Sequence, residues 1–96
     1  MLLSDLHNLK PDIEQLALAH GARRIRVFGS VAKGQEMLDS DIDFLVDFPV
    51  GYDLFTQRLP LADKLEKLMN RKVDLIPEHE LNRHLRDSVL KEAVEL

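Results

Sequence analysis

Apolar and polar residues change their period several times along this chain, and each change marks an element. In "KPDIEQLALAHG" the residues Ile13, Leu16, Ala17 and His20 fall on one face at helical spacing. Pro11 suits the first turn of that helix and Gly21 is its C-terminal stop. "RRIRVFGS" then alternates Ile25 and Val27 against Arg24 and Arg26, the period of a half-buried strand that ends at a glycine. "DIDFLVDF" alternates as well: Asp41, Asp43, Leu45 and Asp47 point one way, Ile42, Phe44, Val46 and Phe48 the other. In "YDLFTQRLPLADKLEKLMNR" a stripe of Leu61, Leu65, Leu68 and Met69 predicts a helix, which Pro60 opens because it has no amide hydrogen to offer a preceding turn. "KVDLIP" reads as a third strand, with Val73 and Leu75 opposite Asp74 and Pro77 as its stop. Leu81, Leu85, Val89 and Ala93 recur every four residues and predict an amphipathic terminal helix lying on the sheet. The order α, β, connection, β, α, β, α predicts an α/β fold: one small domain, a mixed sheet of about three core strands, and flanking helices.

Composition narrows what such a domain can do. Its 96 residues, 45% hydrophobic and 31% charged, fit one globular domain spanning 1–96. A formal net charge of −4 is the wrong sign for a long nucleic-acid groove, so no direct nucleic-acid partner is expected. There is no cysteine, which removes disulfides and thiolate metal sites and fits a reducing compartment. The opening "MLLSDLHNLK" lacks the apolar segment of a signal peptide, and no later run approaches membrane-spanning length, so a cytoplasmic location without a membrane partner is expected.

The stretch "VFGSVAKGQEMLDSDIDFLVDF" carries the chemistry. It sets Asp39, Asp41 and Asp43 at every second position just ahead of an apolar run, where like charges repel unless a cation or water shields them. Carboxylates at i and i+2 of a strand lie about 6 to 7 Å apart, close enough to share divalent cations. Hard oxygen donors favour Mg²⁺ or Mn²⁺ over zinc. Upstream, a strand running into Gly29-Ser30 offers backbone with little steric bulk and a hydroxyl donor, both useful against a phosphate. Taken singly, a glycine-serine pair is a tight turn, an Asp-x-Asp is a solvated strand face, and Asp74 is an edge position. Together they form a phosphate turn, a paired-carboxylate strand and a third strand carboxylate in an order that one site can use.

On the residues "FGSVAKG", "SDIDF" and "VDLI" the chain resembles the DNA polymerase β-like nucleotidyltransferases, and within them the minimal nucleotidyltransferases, over essentially its whole length. The resemblance implies that Gly29 and Ser30 hold a nucleoside triphosphate, that Asp41 and Asp43 bind two metals, and that Asp74 completes the catalytic and metal site. Val31 departs from the pattern, since relatives often carry a basic or polar side chain there, and Lys33 is left to supply the remaining charge to the nucleotide. The implied reaction is transfer of AMP from ATP with Mg²⁺ or Mn²⁺ as cofactor. The implied partner is a HEPN-family ribonuclease toxin, adenylylated on a tyrosine by its antitoxin.

Two other functions compete with that reading. One is an antitoxin that acts only by binding its toxin; retention of Gly29, Ser30, Asp41, Asp43 and Asp74 argues against it. The other is a nucleotidyltransferase for a small molecule such as an antibiotic; the lack of chain for an acceptor domain argues against that. Asp39 and Asp47 are read as lying off the site, and His7, His20, His79 and His84 share no metal-ligand spacing. Arg23, Arg24 and Arg26 are read as solubilising strand charges, and Tyr52 as a packing residue or a base stacker.

Overall fold

A computed structural model describes residues 3–34 and 41–96. The strand with the Asp-x-Asp start, β2 (Ile42–Val46), is interior to the sheet. On one side it pairs antiparallel with β1 (Ile25–Phe28), and on the other parallel with β3 (Val73–Pro77). A two-residue strand, β4 (Val94–Glu95), pairs antiparallel with β1 and gives the order β3-β2-β1-β4. The sheet is therefore mixed, as the sequence predicts.

Before the sheet come α1 (Leu3–Asn8) and α2 (Lys10–Ala19), with Pro11 in the first turn of α2 and Gly21 at φ +84° turning the chain towards β1. A single helical turn, α3 (Gly29–Ala32), follows β1 directly. Parallel strands need a crossover, which α4 (Leu59–Met69) supplies between β2 and β3. Pro60 sits in its first turn as predicted, and a wide π-helical turn over Leu54–Arg58 abuts it. Widening is the expected response to a proline, whose ring crowds the carbonyl four residues back and offers it no hydrogen. Asp53 caps this turn by accepting from the backbone N–H of Phe55 at 2.8 Å and of Thr56 at 3.1 Å.

One face of the sheet makes the core. Ile25 and Val27 of β1, Ile42, Phe44 and Val46 of β2, and Val73 and Leu75 of β3 gather with Ile13 and Ala17 of α2 and Leu61, Leu65 and Met69 of α4. Phe44, Ile42, Leu61 and Leu65 are wholly buried, each contributing roughly 1.5 to 3 kcal/mol of burial free energy. This rigid layer fixes the strands whose opposite face carries Asp43 and Asp74.

The opposite face departs from simple alternation. Leu45 is only 1% exposed, and Arg26 is buried with its Nη2 donating to Glu78 Oε2 at 3.1 Å. The other arginines near β1 are also matched, Arg23 with Asp47 at 3.2 Å and Arg24 with Glu95. These charges serve as specific ion pairs, where the sequence suggested a solvated fringe.

The C-terminal segment corrects the sequence reading. The helix α5 spans Arg83–Glu92 and stops there, because Val94 and Glu95 leave it to pair with Val27 and Arg26. None of its residues is buried, and Leu85 is 57% exposed. Its period of four is real, but α5 does not seat that stripe in the core. No helix among the described residues is long and apolar enough to cross a membrane.

Candidate functional site

The site is built where β1 ends. Phe28 faces Asp43 in the antiparallel register, and the next residue, Gly29, turns into α3 at φ +74°. A β-carbon placed on Gly29 would sit 2.3 Å from Asp43 Oδ2. The turn therefore lies flat against the Asp43 carboxylate, in a space and a backbone conformation that only glycine fits without strain. Behind it Val31 is 1% exposed and belongs to the core, so its apolar character anchors the turn. The Lys33 N–H closes the turn on the Gly29 carbonyl at 3.1 Å. Ser30 is half-buried beside this backbone.

Two of the three carboxylates come from adjacent strands, and the third from the residue that leads into one of them. Asp43 and Asp74 are direct partners in the parallel β2–β3 register, which puts their backbones about 4.8 Å apart. Asp41 is exposed immediately before β2, whose start is tied to the lead-in of β3 by the Ile42 N–H donating to the Lys72 carbonyl at 2.9 Å. Burial pushes the Asp43 carboxyl above the ordinary value of 3.8, and the charges of Asp74 and then Asp41 push it further in the same direction. Among the described residues no lysine, arginine or histidine forms an ion pair with any of the three. As the side chains lie, no group of three or more acidic, histidine or cysteine residues among the described residues stands close enough together to hold a metal ion. The donor set nevertheless suits a hard divalent cation, being all oxygen, negatively charged and mutually repelled.

A nucleotidyltransferase domain model matches residues 6–96. The chain belongs to this family. It is similar to the protein adenylyltransferase MntA of Thermococcus cleftensis, with 36% identity over 91 residues covering 86% of this chain and 91% of that one. It also resembles a solved "putative minimal nucleotidyltransferase" with a TM-score of 0.87 and 42% identity, covering 100% of this chain and 97% of the other. A crystal structure of a toxin-antitoxin with AMP-PNP matches with a TM-score of 0.75 and 26% identity, covering 88% and 69% of the respective chains.

In this nucleotidyltransferase the remaining residues singled out in the sequence fall into place around the sheet. Asp39 lies outside the described residues. Asp47 is at the other end of β2, paired with Arg23. Tyr52 stacks on Phe48 with ring centroids 4.8 Å apart, and its hydroxyl bridges Arg58 and Glu80. Phe48 is five residues beyond Asp43, roughly 16 Å along an extended chain, so Tyr52 packs at the far end of the sheet from the carboxylates. His20 bonds the Leu16 carbonyl through Nδ1 at 2.8 Å, and His79 packs edge-on against Tyr52. Lys33 is half-exposed and paired with Glu92 of α5 at 3.0 Å. Glu92 carried no signal in the sequence, because the pairing joins segments far apart in the chain.

The raised Asp43 pKa fixes the sign of a pH effect. An acid whose pKa is higher folded than unfolded favours folding while protonated, so its contribution is complete below the unfolded value and fades as pH rises through the raised folded value. In chelator-treated protein, thermal melts from pH 3.8 upward should show a stability contribution that declines towards neutrality, and Asp43→Asn should remove that decline. Identical pH profiles for the two proteins would refute it.

Proposed function

We propose that this chain is an antitoxin that transfers AMP from ATP to a tyrosine of a HEPN-family toxin in the cytoplasm. The observation that carries the reading is the pairing of Asp43 with Asp74 on adjacent strands, with the Gly29 turn lying against the Asp43 carboxylate. Support also comes from the adenylyltransferase MntA relative and the toxin-antitoxin likeness with a bound ATP analogue.

Each residue has a defined task. Gly29 lets the triphosphate approach the turn backbone, Ser30 donates its hydroxyl hydrogen to a phosphate oxygen, and Lys33 adds a cationic contact. Asp41, Asp43 and Asp74 hold Mg²⁺ or Mn²⁺, which when bound supplies charge stabilisation to the reacting phosphate oxygens. Asp74, the outermost of the set on β3, takes the proton of the tyrosine hydroxyl. The phenolic oxygen then forms its bond to the α-phosphorus, the bond from that phosphorus to the bridging oxygen breaks, and pyrophosphate leaves with the electron pair. The folded toxin supplies the acceptor wall of the site.

The test is mass spectrometry of a candidate HEPN-family partner after incubation with this chain, ATP and Mg²⁺. The expected product carries adenylate on tyrosine, and none forms with Asp41→Asn. Undiminished neutralisation by that variant, with no mass change in the wild-type reaction, would establish the binding-only antitoxin. Adenylate appearing on an added aminoglycoside instead would establish the small-molecule enzyme.

A further inference from the structure

The lysine assigned to the triphosphate already has an anionic partner. Lys33 Nζ lies 3.0 Å from Glu92 Oε1, and both side chains are partly exposed. Glu92 is the last residue of α5, where the negative end of the helix dipole disfavours a carboxylate, so the helix alone gives no reason for an acid there. None of the residues of α5 is buried, and the elements it contacts include α3, the turn that carries Gly29 and Ser30. Its C-terminal end is held separately, by β4 on β1.

We propose that Glu92 is an intramolecular competitor for Lys33, released when a nucleoside triphosphate binds. This rests on the reading of Lys33 as a nucleotide-binding residue. A triphosphate offers several charged oxygens to the ammonium where Glu92 offers one carboxylate, and charge-assisted contacts to phosphate are strong. Once Lys33 turns to the phosphates, Glu92 is left unpaired beside an anion and is repelled. The nucleotide thereby loosens α5 from α3, and by reciprocity whatever holds α5 on α3 weakens nucleotide binding. Glu92 thus tunes specificity for a highly charged ligand: AMP, with fewer charges to offer, displaces it less readily than ATP.

The test is titration of AMP-PNP with Mg²⁺ into the wild type, Glu92→Gln, Lys33→Ala and the double variant, at low and moderate salt. Glu92→Gln should tighten binding by roughly two- to fivefold, the range expected of an exposed ion pair, and salt should shrink the gain. Lys33→Ala should weaken binding and abolish the gain from Glu92→Gln. Asp87→Asn, which makes the same charge change on the exposed surface of α5, should leave affinity unchanged. Hydrogen exchange should show residues 83–92 exchanging faster when AMP-PNP binds to the wild type. If Lys33→Ala binds like wild type, the reading of Lys33 fails and the proposal with it. If Lys33→Ala weakens binding while Glu92→Gln leaves it unchanged or weaker, Lys33 stands and the competitor role is overturned. Unchanged exchange in 83–92 would overturn the release of α5.

Discussion

Asp43→Asn is expected to cut nucleotidyl transfer by at least roughly a hundredfold, about 3 kcal/mol in barrier, while leaving the fold intact. Asparagine keeps the shape of the side chain but removes the charge that a divalent cation requires. Among the described residues no ion-pair partner is orphaned by the change. The charge it removes is one that burial, Asp74 and Asp41 all oppose, so the metal-free variant should melt higher than the wild type at neutral pH. With Asp41→Asn added, metal-dependent nucleotide binding should vanish. The opposite signs distinguish this from ordinary damage, since a core defect lowers stability and activity together. Calorimetric titration of AMP-PNP with and without Mg²⁺, alongside melts in chelator, reads both. Metal-dependent affinity surviving in the folded double variant would remove these aspartates from the site.

Much of this arrangement is legible in the sequence because it is local. The alternation of "DIDFLVDF" places Asp43 opposite Phe44, and the structure keeps them on opposite faces, with Phe44 wholly buried. Pro11, Gly21 and Pro60 each impose one backbone constraint, and each sits where that constraint is needed. The non-local pairings escape such reading. Nothing in the period of Leu81, Leu85, Val89 and Ala93 says that the chain will leave the helix after Glu92, since β4 exists only through its pairing with Arg26 and Val27. Arg26 has the pattern of an outward strand charge, yet Glu78 from the turn after β3 meets it under cover. At the candidate site, the sequence offers Gly29 and Asp43 as separate features of a turn and a strand. Their contact is set by the β1–β2 register, and it changes why the glycine is needed.

Gly29→Ala is accordingly expected to be more damaging than the loss of the neighbouring hydroxyl. At φ +74° any residue with a β-carbon is strained, by about 1 to 2 kcal/mol, which should lower the melting temperature of a domain this size by about 5 to 15 °C. The added methyl also meets Asp43 Oδ2 at 2.3 Å, so the carboxylate has to swing out of line with Asp74. On the proposed mechanism transfer should fall by at least roughly a hundredfold even well below the melting temperature, because the acidic groups would be out of register. On the proposed assignment Ser30→Ala removes one hydrogen bond to a charged phosphate, and it should weaken ATP binding by roughly ten- to a hundredfold with little change in stability. The clash and the strain can be separated. In an Asp43→Ala background the steric part disappears, so Gly29→Ala should cost less stability there than in the wild type. The same cost in both backgrounds would assign the whole effect to backbone strain. Near-wild-type ATP affinity in both Gly29→Ala and Ser30→Ala would mean that the turn shapes the fold without holding the nucleotide.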